Sequence, residues 1–384
     1  MSRQMRKHMI RMNRLSLAAG VTVLGLILSA CGSGSEKNGN SGDQSGATAD
    51  VAAAKALLEP YTGKASAFPV DQPLATRPSA DSTFGFLQCV TPICGLVGSL
   101  LGSAADKLGV TFDVAKAGGS ATSLQTSLDS LVEKKPDAIL VPAVEPSVVS
   151  KQITALQKQN IPTVSNGIME HAKFGFTAGI LDVNAMQLVG NLLAAWSVER
   201  KGDNADIVFY TIPELSFAKV EENAFKAKVK ELCPACSVRV EDISVTTIGT
   251  SAPAHVVSDL QAHPDTNVAI FSSLEAATGL PAAMTVAGLK GVATNGFGPS
   301  PANLQDIKSG GITAGLGLDL PVLTWMQMDV AARLATGQDL TAGEKEGIPP
   351  MQMLEQKDIT FDPSKGWTGY PDYAERYAKL WGTA

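Results

Sequence analysis

Aromatic residues, histidine and cysteine are all scarce in this chain. Phe, Tyr and Trp supply 5% of 384 residues, and there are only 4 His and 5 Cys. His171, His255 and His263 form no metal-spaced pair beside a carboxylate, so a zinc hydrolase lacks its ligands. There is no Gly-x-Ser-x-Gly elbow and no phosphate-cradling Gly-x-x-x-x-Gly-Lys. Gly118-Gly119 and Gly315-x-Gly317 read as turn or close-approach glycines. No catalytic residue, cofactor or metal site is assigned, and the chain is not expected to be an enzyme. It also lacks a long basic block and carries a net charge of -6. That balance argues against a nucleic-acid or anionic-membrane surface.

What is present begins at the N-terminus. A basic run (Arg3, Arg6, Lys7, Arg11, Arg14) precedes an apolar stretch from Leu15 to Leu28, too short to span a bilayer comfortably. The order is that of a secretory signal, residues 1–30. Leu28-Ser29-Ala30-Cys31 resembles a lipobox, which implies that Cys31 carries a lipid and becomes the mature N-terminus. Residues 31–50, rich in Gly, Ser, Asn and Asp, lack the apolar surface that offsets ordering entropy and read as a flexible tether. The protein is therefore expected outside the cytoplasm, held to a bacterial membrane through Cys31. In an oxidising compartment the close pairs Cys89 with Cys94 and Cys233 with Cys236 read as disulfides. A redox role for Cys233-Pro234-Ala235-Cys236 would want the first thiol at a helix N-terminus. This pair instead follows a predicted helix (217–232) and precedes a predicted strand (238–243).

From Thr83 onward short β-rich runs alternate with segments of helical period. Leu124, Leu128, Leu131 and Val132 mark one helix face. Ala138-Ile139-Leu140-Val141 is a continuous apolar run, as a strand buried on both faces requires. The alternation continues to Leu334 and implies an α/β fold of parallel sheets covered by helices. About ten strands suit two doubly wound domains better than one open sheet; a (β/α)₈ barrel is the alternative. Ligands of such sheets bind beyond the carboxyl ends of the strands.

Several stretches then carry a family likeness. They are Ala104-Ala105-Asp106-Lys107-Leu108-Gly109, Lys135-Pro136-Asp137-Ala138-Ile139-Leu140-Val141 and Asn160-Ile161-Pro162-Thr163-Val164. Ala262-His263-Pro264-Asp265, Gly279-Leu280-Pro281 and Ser309-Gly310-Gly311-Ile312-Thr313-Ala314 follow in order. Together they resemble the type I, ribose-binding-protein-like solute-binding proteins of bacterial ABC transporters. The resemblance implies two Rossmann-like lobes joined by three hinge crossings, near Asp182, Asp319 and Pro349. It divides the chain into a first lobe (51–182 with 320–348) and a second (183–319 with 349–384). A monomer that binds one small molecule and hands it to a membrane permease is implied. A receptor that signals to a membrane kinase or chemoreceptor uses the same surfaces and remains an alternative.

The cleft is expected at the turns 88–93, 118–125, 165–168, 211–215, 272–275 and 297–299, and at Asp319. Where ribose-type relatives grip sugar hydroxyls with Asp-Arg, this chain has Gly167-Ile168. Their Gly-Phe-Asp turn is Gly296-Phe297-Gly298 here. Charged hydrogen bonds are worth about 1.5–3 kcal/mol each, so a site without that clamp grips a polyol poorly. The expected ligand is therefore less polar than a simple sugar, or bears an aromatic group. Phe86 or Phe297 would supply an apolar wall. Gln88, Asn166, Gly167, Ser272, Ser273 and Asp319 would supply the polar contacts. A slip of one or two residues in this alignment restores an ordinary sugar site. Trp325 is expected in the core, and the aromatic C-terminal helix is expected against the second lobe.

Overall fold

A computed structural model describes residues 48–90 and 92–384. The predicted signal segment, Cys31 and most of the predicted tether lie outside the described residues. The chain opens with α1 (Val51–Leu58) and β1 (Thr83–Gln88), followed by α2 (Pro92–Leu108) and β2 (Thr111–Lys116). Next come α3 (Ala121–Glu133), β3 (Ala138–Val141), α4 (Pro146–Lys158), β4 (Thr163–Asn166) and β5 (Ala178–Ile180). The five strands form one parallel sheet in the order β2-β1-β3-β4-β5. All four residues of β3 are buried, as its unbroken apolar run demands. Leu128 and Leu131 of α3 point into the same core.

After α5 (Val183–Lys201) the pattern repeats. It runs through β6 (Asp206–Thr211), α6 (Ala218–Leu232), β7 (Ser237–Asp242), α7 (Ala252–Ala262) and β8 (Val268–Phe271). Then follow α8 (Leu280–Val286), β9 (Ala293–Gly296), α9 (Pro301–Ser309) and β10 (Ala314–Leu318). The parallel order β7-β6-β8-β9 matches that of the first sheet. Strand β10 continues it, because Phe297 bridges Leu316 and the Gly298 N–H donates to the Leu316 carbonyl at 3.0 Å. The end of the chain adds α10 (Leu320–Ala335), α11 (Ala342–Glu346), β11 (Met351–Glu355) and α12 (Tyr373–Trp381). Strand β11 pairs antiparallel with β10. Two open parallel sheets, and not a closed barrel, are thus the architecture. Helix α10 then returns to the first sheet, packing on α2, β3 and β4.

Two terminal segments depart from the expected division. Helix α1 was expected with the first lobe, yet it packs on α5. The Asp50 side chain caps its N-terminus, and the Asp50 N–H donates to the Leu232 carbonyl at 2.7 Å. The following segment then crosses between lobes. Ser66 and Met351 exchange hydrogen bonds of 2.9 and 3.0 Å, and farther along Leu74 N–H donates to the Leu380 carbonyl at 2.9 Å. Helix α12, expected on the second lobe, lies against α2 and α10. Its Trp381 stacks on Trp325 with centroids 5.3 Å apart and planes 3° from parallel. The reason is apolar complementarity: α10 presents Trp325 on that side, and Tyr377 and Trp381 cover it.

Both cysteine pairs are disulfide-bonded, with Cα atoms 5.5 Å apart at Cys89–Cys94 and 5.4 Å at Cys233–Cys236. Cys233 caps the C-terminus of α6, the end at which a structural pair was expected.

Candidate functional site

The two lobes meet at the carboxyl ends of their strands. Three crossings lie side by side at their junction. The Leu181 N–H donates to the Gly347 carbonyl at 2.8 Å, and the Asp319 N–H to the Pro350 carbonyl at 2.9 Å. Asp182 caps α5 and accepts from the Glu170 and Val183 N–H groups at 2.7 and 2.6 Å, while also bonding the His171 ring. Burial would raise its carboxyl, but these hydrogen bonds outweigh it and hold the group below the usual carboxylate range. Across the cleft, the Ser216 hydroxyl of the second lobe donates to the Gly167 carbonyl of the first at 3.2 Å. Gly167 adopts φ +73°, and a Cβ there would stand 3.1 Å from the Ala143 methyl group. Its backbone therefore forms a close crossing point that a larger residue would disturb.

Most of the remaining sequence candidates gather at the same edges. Gln88 ends β1 half-buried, its side chain over Gly98 of α2, and Asn166 ends β4 half-buried. Between them the Cys89–Cys94 loop exposes Val90 (65%) and Ile93 (47%). On the facing lobe Ser273 is half-buried after β8. Phe297 is buried after β9 with its ring edge-on to Phe217 at 6.2 Å. The two rings form an edge-to-face aromatic pair at the carboxyl edge of the second sheet.

Three candidates do other work. Phe86 is fully buried and stacked on Phe112 at 6.1 Å, because its position in β1 turns it into the core under α2. Ser272 is also fully buried, and its hydroxyl accepts the Ile212 N–H at 3.1 Å, tying β8 to the end of β6. Asp319 is occupied on all sides. It accepts from Val322 N–H at 3.1 Å as the cap of α10, from Gly369 N–H at 2.8 Å, and from the Thr368 hydroxyl at 3.0 and 2.9 Å. Burial outweighs these bonds and raises its carboxyl to about 6. Its oxygens serve the hinge, not an open cleft.

Sequence reasoning missed Ser216, Phe217 and Glu221. The first two follow β6 at the position where a ligand-facing turn belongs, within one or two residues of the turn expected at 211–215. Glu221 carried a clearer signal: an acid inside the apolar stripe Ala218, Phe225, Val229, Leu232 of α6.

A family model described as a periplasmic binding protein domain matches residues 96–339. The chain belongs to the periplasmic binding protein family. It is therefore a solute-binding protein of the type that works outside the cytoplasm, and no helix among the described residues is long and apolar enough to cross a membrane. No curated protein sequence matches it. Solved structures share the type I fold. A periplasmic ribose ABC transporter protein from Conexibacter woesei DSM 14684 aligns with TM-score 0.62 and 16% identity, over 73% of this chain and 94% of its own. A solute-binding protein from Actinobacillus succinogenes 130z with bound D-allose gives 0.62 and 16%, over 73% and 99%. One from Bacillus halodurans C-125 with bound myo-inositol gives 0.63 and 16%, over 74% and 98%.

Proposed function

We propose that this periplasmic binding protein is the solute receptor of an ABC importer, lipid-anchored through Cys31, closing two lobes over one small molecule. The lobes divide at Asp182 and Asp319, and the closed surfaces engage a permease; the chain acts as a monomer and carries out no chemistry. The observation that carries this reading is the pair of facing strand edges, joined by adjacent crossings and touching through Ser216 and Gly167. The ligand is less polar than a simple sugar. In support, Ser272 and Asp319 spend their side chains on protein hydrogen bonds, while Phe217 and Phe297 present an apolar wall. Gln88, Asn166 and Ser273 remain as polar contacts, while the Gly167 backbone is taken up by Ile180 and Ser216.

A sugar or polyol is the second reading, favoured by the D-allose and myo-inositol found in structures of the same fold. A thermal-shift panel of arylalkyl compounds, pentoses, hexoses and inositols separates the two, since a ligand raises the melting temperature with concentration over affinity. Asn166→Ala should weaken whichever class binds. A neighbouring gene pair for an ATPase and a permease supports uptake; a lone sensor kinase would support signalling.

A further inference from the structure

Glu221 is fully buried, and among the described residues neither of its carboxyl oxygens has a hydrogen-bond partner. Buried polar groups in native proteins are almost always paired, and an unpaired acid calls for a reason. Packing supplies none, because an apolar residue of similar size would serve the α6 stripe better. Neither do the neighbouring lysines: Lys219 and Lys226 lie 2.9 and 3.2 Å from Glu222 and are committed to it. On the outer side α5 closes against the α6 backbone at Gly190, where a Cβ would overlap the Glu221 carbonyl oxygen. Burial alone drives the Glu221 carboxyl well above its ordinary range.

Its position points to the cleft. Helix α6 begins at the carboxyl edge of the second sheet, and Ser216, just ahead of it, reaches the other lobe. Glu221 lies four residues beyond Phe217, so both occupy one helix face. Helical side chains lean toward the N-terminus, so Glu221 leans toward the turn that carries Phe217, whose ring meets Phe297. A neutral hydroxyl there would meet the acid only in its protonated form and add no charge pairing. A protonated amine both donates hydrogen bonds and neutralises the carboxylate.

We propose that Glu221 receives the protonated amine of a bound solute whose apolar body rests on Phe217 and Phe297. The inference rests on the reading that the cleft binds a solute, and it names the class: an arylalkyl or similarly apolar amine. The test uses 2-phenylethylamine, 2-phenylethanol and D-allose as probes in calorimetric titration and thermal shift of the mature protein. Wild-type protein should bind the amine best. Glu221→Gln should lower amine affinity by about tenfold or more, as loss of a charged partner implies, and change alcohol affinity far less. Glu221→Leu should melt no lower than wild type without ligand, which a structural role for the acid would not allow. Amine affinity unchanged in Glu221→Gln overturns the inference, as does a wild-type preference for the alcohol or for D-allose, while leaving the receptor reading standing. A wild-type protein that binds none of the three overturns the inference and counts against the receptor reading as well.

Discussion

Asp319→Ala separates a hinge role from a ligand role. The substitution strips the acceptor from three donors at a fully buried position: Val322 N–H, Gly369 N–H and the Thr368 hydroxyl. Orphaned buried donors cost about 1–3 kcal/mol each, and relaxation recovers part of that, so a net loss of about 3–5 kcal/mol is expected at pH 7. Asp319→Asn keeps one acceptor oxygen and should lose about 1–2 kcal/mol. A second signature lies in the pH dependence. The folded carboxyl titrates at about 6 against an ordinary 3.8, so the native state holds the proton more tightly. Its contribution is full below the unfolded value and is lost as pH rises to about 6, by about 3 kcal/mol in all. Urea denaturation across pH 4–8 measures both effects. Wild-type protein should carry this downward slope, and Asp319→Asn should lack it. An Asp319→Ala variant as stable as wild type but impaired in ligand binding would refute the hinge assignment and return the residue to the cleft.

Other expectations concern different parts of the frame. Arg333 is buried between Asp329 and Glu344 and also donates to the Gln72 carbonyl, so Arg333→Ala leaves two buried acids facing each other. A loss of about 3–5 kcal/mol in chemical denaturation is expected, with faster tryptic cleavage at the exposed Lys64 as the segment it holds is released. Replacing Cys233 and Cys236 together by Ser should cost only about 2 kcal/mol, since the closed loop is short, and leave solute binding unchanged in titration. Gly190→Val should prevent stable folding, read as loss of soluble protein: its side chain would collide with the α6 backbone, 2.9 Å from the Phe225 nitrogen even at Cβ.

Much of the frame was legible because parallel strands buried on both faces must be continuously apolar. Ala138–Val141 and Val268–Phe271 show this, and all their residues are buried. The same property hides which way a side chain faces. Phe84 and Phe86 lie on one face of β1 and Leu87 on the other, all fully buried, so no alternation told Phe86 from a cleft residue. Asp319 was misread for a different reason: the groups that consume its oxygens, Thr368 and Gly369, come from a segment about fifty residues later. Local spacing cannot show such a return. Helix α1 was misplaced likewise, since its partner α5 lies more than a hundred residues along the chain and both are simply Ala- and Leu-rich. The turn that carries Phe297 could be placed because it directly follows a recognisable strand, β9. Glu221 escaped notice inside a helix that otherwise reads as amphipathic, although an acid on the buried stripe was visible in the sequence.

The central claim is that the lobes enclose one solute. Native mass spectrometry of the mature protein, isolated from its own cell envelope without denaturation, tests it most directly. A population carrying one small molecule per chain is expected, released when the protein is unfolded and recoverable for identification. A spectrum of bare chain alone, from protein that also shows no thermal shift with any amine, sugar or polyol, would contradict the claim.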